Sequence, residues 1–169
     1  MRGLIESRKA IFFVNIKPET YPLVTEIIMQ ICVLPRVLLS PTDATFCTQF
    51  FFHLHSIDTP GLSTLSFLDK VLKTVTPLIF CTTEYEAGFI GFLLHNLLST
   101  ANSWINSEKV YEKEGKSHIG LILNFELPPT SESYTNYSQF QHIYLTWHST
   151  IKKIILACLN SSEYMVLVN

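Results

Sequence analysis

The histidine side chains of this chain could, by residue type, bind a metal ion or transfer protons. His53 and His55 are two residues apart, a spacing that directs side chains to different sides of a helix. His142 and His148 are six residues apart and also diverge. A closed zinc site needs about four ligands that converge on one point, which neither pair provides. We therefore predict partly buried structural histidines and no metal ligands.

Nucleophilic catalysis would need a nucleophile activated by a base, and Cys47, His55 and Asp69 supply those residue types. No nucleophile elbow or oxyanion glycine turn surrounds them in the sequence. Phosphate-binding glycine loops, an H-E-x-x-H motif and a calcium loop are also absent from the sequence. We predict that the chain is not an enzyme and has neither catalytic nor cofactor-binding residues.

The cysteines are scattered without the C-x-x-C spacing of a redox or metal site. Each lies in or beside an apolar run, where free cysteine usually packs as a small hydrophobic side chain. We predict buried, reduced thiols and an intracellular compartment. The positions are Cys32, Cys47, Cys81 and Cys158.

Charged residues make up 15% of this 169-residue chain and apolar residues 47%, a low charge content for an isolated soluble domain. The apolar excess predicts burial under neighbouring protein, with a membrane-associated helical protein as the less favoured alternative. A spanning helix needs about 20 apolar residues with few charges. Residues 21–39 contain Glu26, Gln30, Pro35 and Arg36, so we predict no membrane contact.

The formal net charge of −2 bears on nucleic-acid binding, because it supplies no field to hold a phosphate backbone. Aromatic residues such as residues 50–52 lie at helical core spacing without interleaved lysine or arginine. These features disfavour a nucleic-acid-binding helical module, which is the alternative function. We expect any contact with RNA to be indirect.

Helix-start and helix-end signals divide the chain into amphipathic segments. The first helix is expected over residues 19–34, because Pro35 removes a helix hydrogen bond and ends it. Ser40 caps a second helix, and Asp43 lies at its third position, where unpaired backbone amides favour negative charge. This helix is expected to extend to about Ile57.

Two further helices follow. Ser63 or Thr64 caps a third helix, whose apolar residues recur at three- and four-residue spacing. Thr83 and Glu86 have the spacing of a capping box, in which each side chain binds a backbone amide of the other residue. They predict the start of a fourth helix.

Two glycines, Gly88 and Gly91, lie inside this fourth helix, where each costs about 1 kcal/mol relative to alanine. A glycine kept in a helix despite this cost often permits close packing. We therefore predict that a neighbouring backbone approaches the helix at these positions.

Residues 106–136 differ in composition from the apolar helices around them. Residues 108–114 are highly charged and predict a short solvated helix, whereas residues 120–129 end in paired prolines. Polar residues 130–136 then lead into the last helix. We predict that residues 106–136 are a surface excursion within a single helical domain spanning residues 1–169.

The end of the chain carries the longest amphipathic pattern. Apolar residues recur every three to four positions from Tyr137 to Leu159, which predicts one long helix with Trp147 as a core anchor. Residues 160–163 are another helix-start signal, so we expect further helices that cover the aromatic stripe wherever this chain leaves it bare. Short connections between helices predict an all-α fold, an antiparallel helix stack that is a segment of a HEAT-like α-solenoid.

Some residues are expected to hold the fold, and two are candidates for partner contact. Arg36 is expected to pair with the carbonyls at the end of the first helix, with partner contact as the alternative. Partner contact is also the hypothesis for His148. The residues with expected structural roles are Pro35, Ser40, Asp43, Thr83, Glu86 and Trp147.

Short motifs follow one another in a defined order through most of the chain. They are Leu34-Pro35-Arg36, residues 40–44, Cys47, Leu54-His55, Thr59-Pro60, Ser63-Thr64, Asp69, residues 82–87, Gly91-Phe92-Leu93, Trp104, residues 111–114, Tyr137, Phe140, Trp147-His148, Cys158-Leu159 and residues 163–165. In order and spacing they resemble the family of the large second subunit of the THO complex, a transcription and mRNA export assembly. The resemblance covers almost everything from about residue 30 onward and places the chain in the C-terminal half of that family's helical region.

The resemblance implies a nuclear scaffold that folds as a helical solenoid and binds other THO complex subunits. It also implies that the scaffold positions a DEAD-box RNA helicase on nascent transcripts, in a THO/TREX-type complex that couples transcription elongation to mRNA processing and export. The residues themselves predict an all-helical fold, no catalytic machinery and more apolar surface than an isolated domain needs.

Overall fold

The computed structural model describes residues 20–122 and 134–161, and regular structure in these ranges is helical apart from one isolated antiparallel bridge between Ile122 and Tyr134. The all-α class is therefore confirmed, whereas the HEAT-like solenoid and the domain limits stay predictions. The α-helices are α1 (Tyr21–Ile27), α2 (Leu34–Val37), α3 (Pro41–Ser56), α4 (Thr64–Ile79), α5 (Glu84–Asn106), α6 (Glu108–Val110) and α7 (Tyr137–Leu159). The helix start expected at residues 160–163 falls largely outside the described residues.

The first helical segment continues through Pro35. A π-helical turn, Ile28–Val33, joins α1 to α2, and the Leu34 amide donates to the carbonyl of Met29. The prediction that Pro35 ends a helix is therefore wrong. The wider turn places Pro35 at the second position of a new α-helical turn, where its missing N–H leaves no helix bond unmade.

Hydroxyl side chains start α3 and α4. Ser40 Oγ accepts from the backbone amide of Asp43 at 3.0 Å, and the Ser40 hydroxyl donates to the Asp43 carboxylate at 2.7 Å. This bond, together with one from Arg36, holds the pKa of the Asp43 carboxyl below its usual value. Ser63 is the N-cap of α4, since its Oγ accepts from the amide of Ser66 at 3.1 Å.

A reciprocal capping box starts α5. The Thr83 amide donates to Glu86 Oε2 at 2.8 Å, while Thr83 Oγ1 accepts from the Glu86 amide at 3.4 Å. The amide and hydroxyl of Thr83 lower the pKa of the Glu86 carboxyl, because both donate to its charged form. Asn136 and Gln139 form an equivalent box at the start of α7, which the sequence analysis did not identify.

Replacing Thr83 with alanine is expected to lower the free energy of unfolding by about 1 kcal/mol, the usual cost of removing an N-cap side chain. Denaturant titration of the variant measures this loss. Ser99→Ala is the matched control, because Ser99 is exposed in the interior of the same helix. It should change stability by less than about 0.5 kcal/mol, and an equal loss in both variants would contradict the capping role.

Aromatic rings form much of the core. Phe51 of α3 stacks on Phe67 of α4 with ring centroids 3.7 Å apart. The ring of Phe140, in α7, lies 4.8 Å from that of Tyr111 and 6.2 Å from that of Trp147. All five side chains are buried, so these contacts remove a large apolar area from water. They join α3 to α4, and they join α7 to Tyr111.

The charged segment after α5 packs onto the core at one position. Tyr111, at the start of the π-helical turn Tyr111–Lys116, is fully buried, and its hydroxyl donates to the carbonyl of Thr135 at 2.7 Å. Burial raises the pKa of this phenol. The prediction of a solvated helix over residues 108–114 is therefore wrong at Tyr111, although the acidic and basic side chains around it are exposed. Residues 123–133 lie outside the described part of the chain.

Candidate functional site

A cleft of about 800 Å³ opens between α3, α5 and the turn Tyr111–Lys116. The helices α3 and α5 pack along each other, and the turn contacts α5. Hydroxyl and amide side chains line much of the cleft, beside two aromatic rings. The lining includes Gln49, Phe52, Asn96, Ser99 and Trp104, with His53, His55, Lys113, Glu114 and His118.

His55 joins three elements at this cleft. Its side chain is only 4% exposed, its Nδ1 lies 2.7 Å from the Thr64 hydroxyl, and its Nε2 lies 3.0 Å from the Glu114 carbonyl. The neutral ring satisfies both partners when Nε2–H donates to Glu114 and Nδ1 accepts from Thr64. Burial lowers the pKa of His55 to about 4, so the ring is neutral at physiological pH. Both nitrogens are engaged, which makes His55 a structural residue.

Gly120 allows the chain after the turn to approach His55 closely. A Cβ at position 120 would lie 2.6 Å from His55 Nδ1 and closer still to Thr64 Oγ1. Any larger residue would therefore displace the buried His55–Thr64 hydrogen bond. The composition of residues 106–136 predicts a surface excursion that includes Gly120, because no local pattern indicates a contact with residues more than fifty positions earlier.

A second contact between distant residues holds the same region. His118 Nδ1 lies 3.1 Å from Asp58 Oδ1, and this oxygen also accepts from the Ile119 amide at 2.9 Å. Asp58 has a φ of 53°, a left-handed conformation that aspartate tolerates better than most residues. The pair attaches the loop after α3 to the chain that follows the turn Tyr111–Lys116.

Two buried polar atoms at the cleft have no hydrogen-bond partner among the described residues. They are Nε2 of His53 and Nε1 of Trp104. The indole of Trp104 is 2% exposed and lies edge-on to the ring of Phe52 at 5.9 Å. A buried donor without an acceptor costs roughly 1–3 kcal/mol, so this indole N–H is an unfavourable feature of the folded chain.

The nucleophile constellation considered from the sequence is not assembled. Cys47 Sγ lies 3.8 Å from the carbonyl of Val33, and Asp69 pairs with Lys73 at 2.6 Å. Since His55 is bonded to Thr64 and Glu114, each of the three residues has a different partner. Across residues 20–122 and 134–161, no three His, Cys, Asp or Glu side chains cluster as metal ligands would.

The prediction that the cysteines are buried is wrong for three of the four. Cys47 is buried, but Cys32 and Cys81 are exposed and Cys158 is half-buried. Cys32 lies in the π-helical turn, whose wider winding rotates side chains away from the positions that an α-helical period predicts. Cys81 lies just after the end of α4.

The predicted neighbour of Gly88 and Gly91 is missing from the described chain. A Cβ at either position would meet nothing within 4 Å, and both glycines are exposed. With Phe92 and His95 they line a depression of about 380 Å³ on the surface of α5. The prediction of close packing is therefore wrong for the described residues.

The candidate partner-contact residues have neighbours within the chain. Arg36 pairs with Asp43 at 2.8 Å, not with helix carbonyls, and its guanidinium lies 4.4 Å from the ring centre of Phe46. The exposed His148 ring lies 4.6 Å from that of Tyr144. Contact of either residue with a partner stays a prediction.

The helix α7 has a buried face and an exposed face. Phe140, Tyr144 and Trp147 are buried by this chain itself, so the aromatic stripe is not bare. Leu145 and Leu159, by contrast, are 64% and 67% exposed. No helix in the described residues combines the length and hydrophobicity needed to cross a bilayer.

A family model described as transcription factor/nuclear export subunit protein 2, Tho2, matches residues 1–169. The chain belongs to the Tho2 family. It is 34% identical to THO complex subunit 2 of Arabidopsis thaliana over 83% of its length, and 29% identical to that of Homo sapiens over 80%. The chain spans only 8% and 9% of these two relatives. No solved structure matches it significantly.

In this Tho2-family chain, several residues of the short sequence motifs lie at helix starts or in the core. Ser40 and Asp43 make the cap bonds of α3, and Thr83 and Glu86 make those of α5. Trp147 is buried. Functions that depend on the surface of this Tho2-family segment are therefore expected at the cleft and on the exposed face of α7.

Proposed function

We propose that this chain is a non-catalytic scaffold segment of a nuclear THO/TREX-type complex that couples transcription to mRNA processing and export. It binds other THO complex subunits and helps to position a DEAD-box RNA helicase, while its contact with RNA is indirect. Membership of the Tho2 family supports the assignment to the complex. The different partners of Cys47, His55 and Asp69 support the absence of catalysis.

The observation that carries the proposal is the exposed apolar surface of α7, defined by Leu145, Leu156 and Leu159. At 100° per residue these three leucines fall on one side of the helix. All three are about half exposed or more in the described chain. Exposed apolar groups that cluster on one face are typical of protein–protein interfaces, and the low charge content of the whole chain agrees with such burial.

A double variant of the full-length subunit, Leu156→Asp with Leu159→Asp, tests this proposal. Recovery of the other THO subunits and of the DEAD-box helicase in co-purification is expected to fall about tenfold or more, because aspartate carries an unpaired charge into an apolar interface. The matched control is Thr146→Asp with Thr150→Asp, at polar positions of the same helix that lie about 80° or more around the helix axis from the three leucines. It should leave recovery unchanged.

Two outcomes would contradict the proposal. Normal recovery of all subunits with the leucine variant would show that α7 is not an interface. Normal assembly of a subunit that lacks residues 20–161 would show that the segment is not part of the scaffold.

A further inference from the structure

The exposed face of α7 contains a set of residues with coiled-coil spacing. These exposed residues follow one another at intervals of three, four, three and four positions, which is the spacing of the a and d positions of a heptad. Through these positions one helix packs along another. We name the set the α7 seam, and its members are Leu145, His148, Lys152, Ile155 and Leu159.

The α7 seam adjoins the core of the chain. At 100° per residue, its centre lies about 90° around the helix from the side buried by Phe140, Tyr144 and Trp147. The helix α7 packs against α4 and α5, and the residues of the seam are left exposed in the described chain. An element laid along the seam would therefore extend the apolar packing that α7 already makes.

Another helix is the partner shape that the seam fits. The amides and carbonyls inside α7 are bonded within the helix, so an extended peptide finds no backbone edge with which to pair. Contact is therefore made through side chains, and a second helix supplies it by packing its own apolar stripe between those of α7. From Leu145 to Leu159 the seam rises about 21 Å, so a matching helix has about four turns.

Lys152 places a positive charge at the centre of the seam. The helix α7 contains Lys152 and Lys153 and no Asp or Glu, so its formal charge is +2 in a chain whose net charge is −2. Lys152 forms no ion pair with any residue in the described ranges. The helix dipole does not account for it, because that effect is confined to the last turn and Lys152 lies seven positions before Leu159.

The position of Lys152 argues against a second copy of this chain as the partner. Lys152 is the middle member of the seam, so in-register pairing of two copies, parallel or antiparallel, would bring two Lys152 side chains together. Like charges at a packed position are unfavourable, and one lysine at an a position is a known way to select a different partner. A carboxylate opposite Lys152 would instead form an ion pair.

The apolar members of the seam argue against RNA as the partner. Leu145, Ile155 and Leu159 gain free energy when apolar surface removes them from water, and a phosphate backbone has no such surface. Aliphatic side chains also lack the ring faces on which bases stack. The combination of these residues with Lys152 therefore matches a protein surface that is both apolar and acidic.

We propose that the α7 seam binds an amphipathic helix of a different subunit, whose apolar residues pack on Leu145, Ile155 and Leu159 and whose Asp or Glu side chain pairs with Lys152. The inference rests on the proposed scaffold function and adds the chemistry of the partner. That partner is a helix of about four turns with an acidic residue inside its apolar stripe.

Carbodiimide crosslinking of the purified, ribonuclease-treated complex with the full-length subunit tests this inference. The reagent joins a lysine amine directly to a carboxylate and adds no spacer, so it reports contact. We expect mass spectrometry to find Lys152 joined to an Asp or Glu of another subunit, with apolar residues three or four positions from that acid. Lys152→Arg keeps the charge without the reactive amine, so it should abolish this crosslink and leave co-purification unchanged.

Reversing the charge measures its effect on binding. Recovery of the crosslinked subunit is expected to fall about tenfold with Lys152→Glu, because two carboxylates would then face each other. Lys153→Glu is the matched control, since it changes the net charge equally but lies about 100° around the helix from Lys152, and it should change recovery less than about twofold. Replacing the crosslinked acid of the partner with lysine should restore binding to Lys152→Glu.

Failure of this inference and failure of the scaffold proposal give different results. The inference is overturned by an assembled complex without the Lys152 crosslink, by crosslinks to a second copy alone, or by equal recovery with the two glutamate variants. The scaffold proposal survives these results as long as Leu156→Asp with Leu159→Asp loses its partners. Normal recovery with that leucine variant would overturn the scaffold proposal itself.

Discussion

Replacing Gly120 with alanine is expected to lower the free energy of unfolding by about 2–4 kcal/mol, the sum of an overpacking cost and a broken buried hydrogen bond. The added Cβ would lie 2.6 Å from His55 Nδ1 and would contact Thr64 Oγ1 even more closely. Both side chains are buried, so neither can move into solvent without losing packing. Denaturant or thermal unfolding of the variant measures the loss.

Gly91→Ala is the matched control for this prediction. A Cβ at Gly91 meets nothing within 4 Å, and the residue lies inside α5. Alanine is favoured over glycine in a helix by about 1 kcal/mol, so this variant should be more stable than the parent chain. If Gly120→Ala were as stable as Gly91→Ala, the close contact at His55 would be refuted.

The stability of the folded chain is expected to fall by about 3 kcal/mol as the pH is lowered from about 6.5 to 4, because His55 titrates differently in the two states. Its pKa is lowered by burial from 6.5 to about 4 in the fold. Between these values the unfolded chain binds one more proton at this residue than the folded chain does. The contribution is therefore fully present above pH 6.5 and is lost as the pH falls.

Urea titrations at a series of pH values measure this dependence. His55→Gln removes the titrating group and should flatten the curve in this window, although its stability at pH 7 is lower. His142→Gln, at an exposed position, should keep the slope of the parent chain. An unchanged slope in His55→Gln would assign the dependence to other groups.

Acidic residues in the described chain add to the pH dependence of stability at lower pH. Their pKa values are lowered by hydrogen bonds, so their contribution is present above their usual pKa values and lost as the pH falls through the lowered ones. Above pH 4.5 the change in stability with pH therefore comes mainly from histidine. These residues are Glu26, Asp43 and Glu86.

Helix starts were the most predictable part of this fold. The start of α5 follows from Thr83 and Glu86 because a capping box depends on residues three positions apart. Residues 137–159 were predicted as one helix, and α7 has these bounds, because its apolar period persists over many turns. These are local interactions, and their partners are visible in the sequence.

Departures from the α-helical period were not predictable. The chain passes through Pro35 as a helix because a π-helical turn precedes it, and Tyr111 is buried although its neighbours are charged. A π-helical turn has no distinct sequence pattern of its own. Its effect on side-chain direction is seen only when the surrounding helices are in place.

The cleft was also beyond sequence reasoning. His55 was expected to be a partly buried structural histidine, but its partners Thr64 and Glu114 are 9 and 59 positions away. Trp104 and His118 were not singled out as site residues. Polar contacts between distant residues leave no periodic signal, so only the packed chain brings these groups to one cleft.

The sequence alone determined the all-helical class, the helix starts at Ser40 and Thr83, and the resemblance that the Tho2 family match confirms. The tertiary structure decided which apolar residues of α7 are buried, where Gly120 must be glycine, and that two polar atoms of the cleft are unpaired. The physical reason is the distance along the chain over which each interaction acts. Caps and periods act within a few residues along the chain, whereas burial and hydrogen-bond satisfaction depend on every element that packs against a side chain.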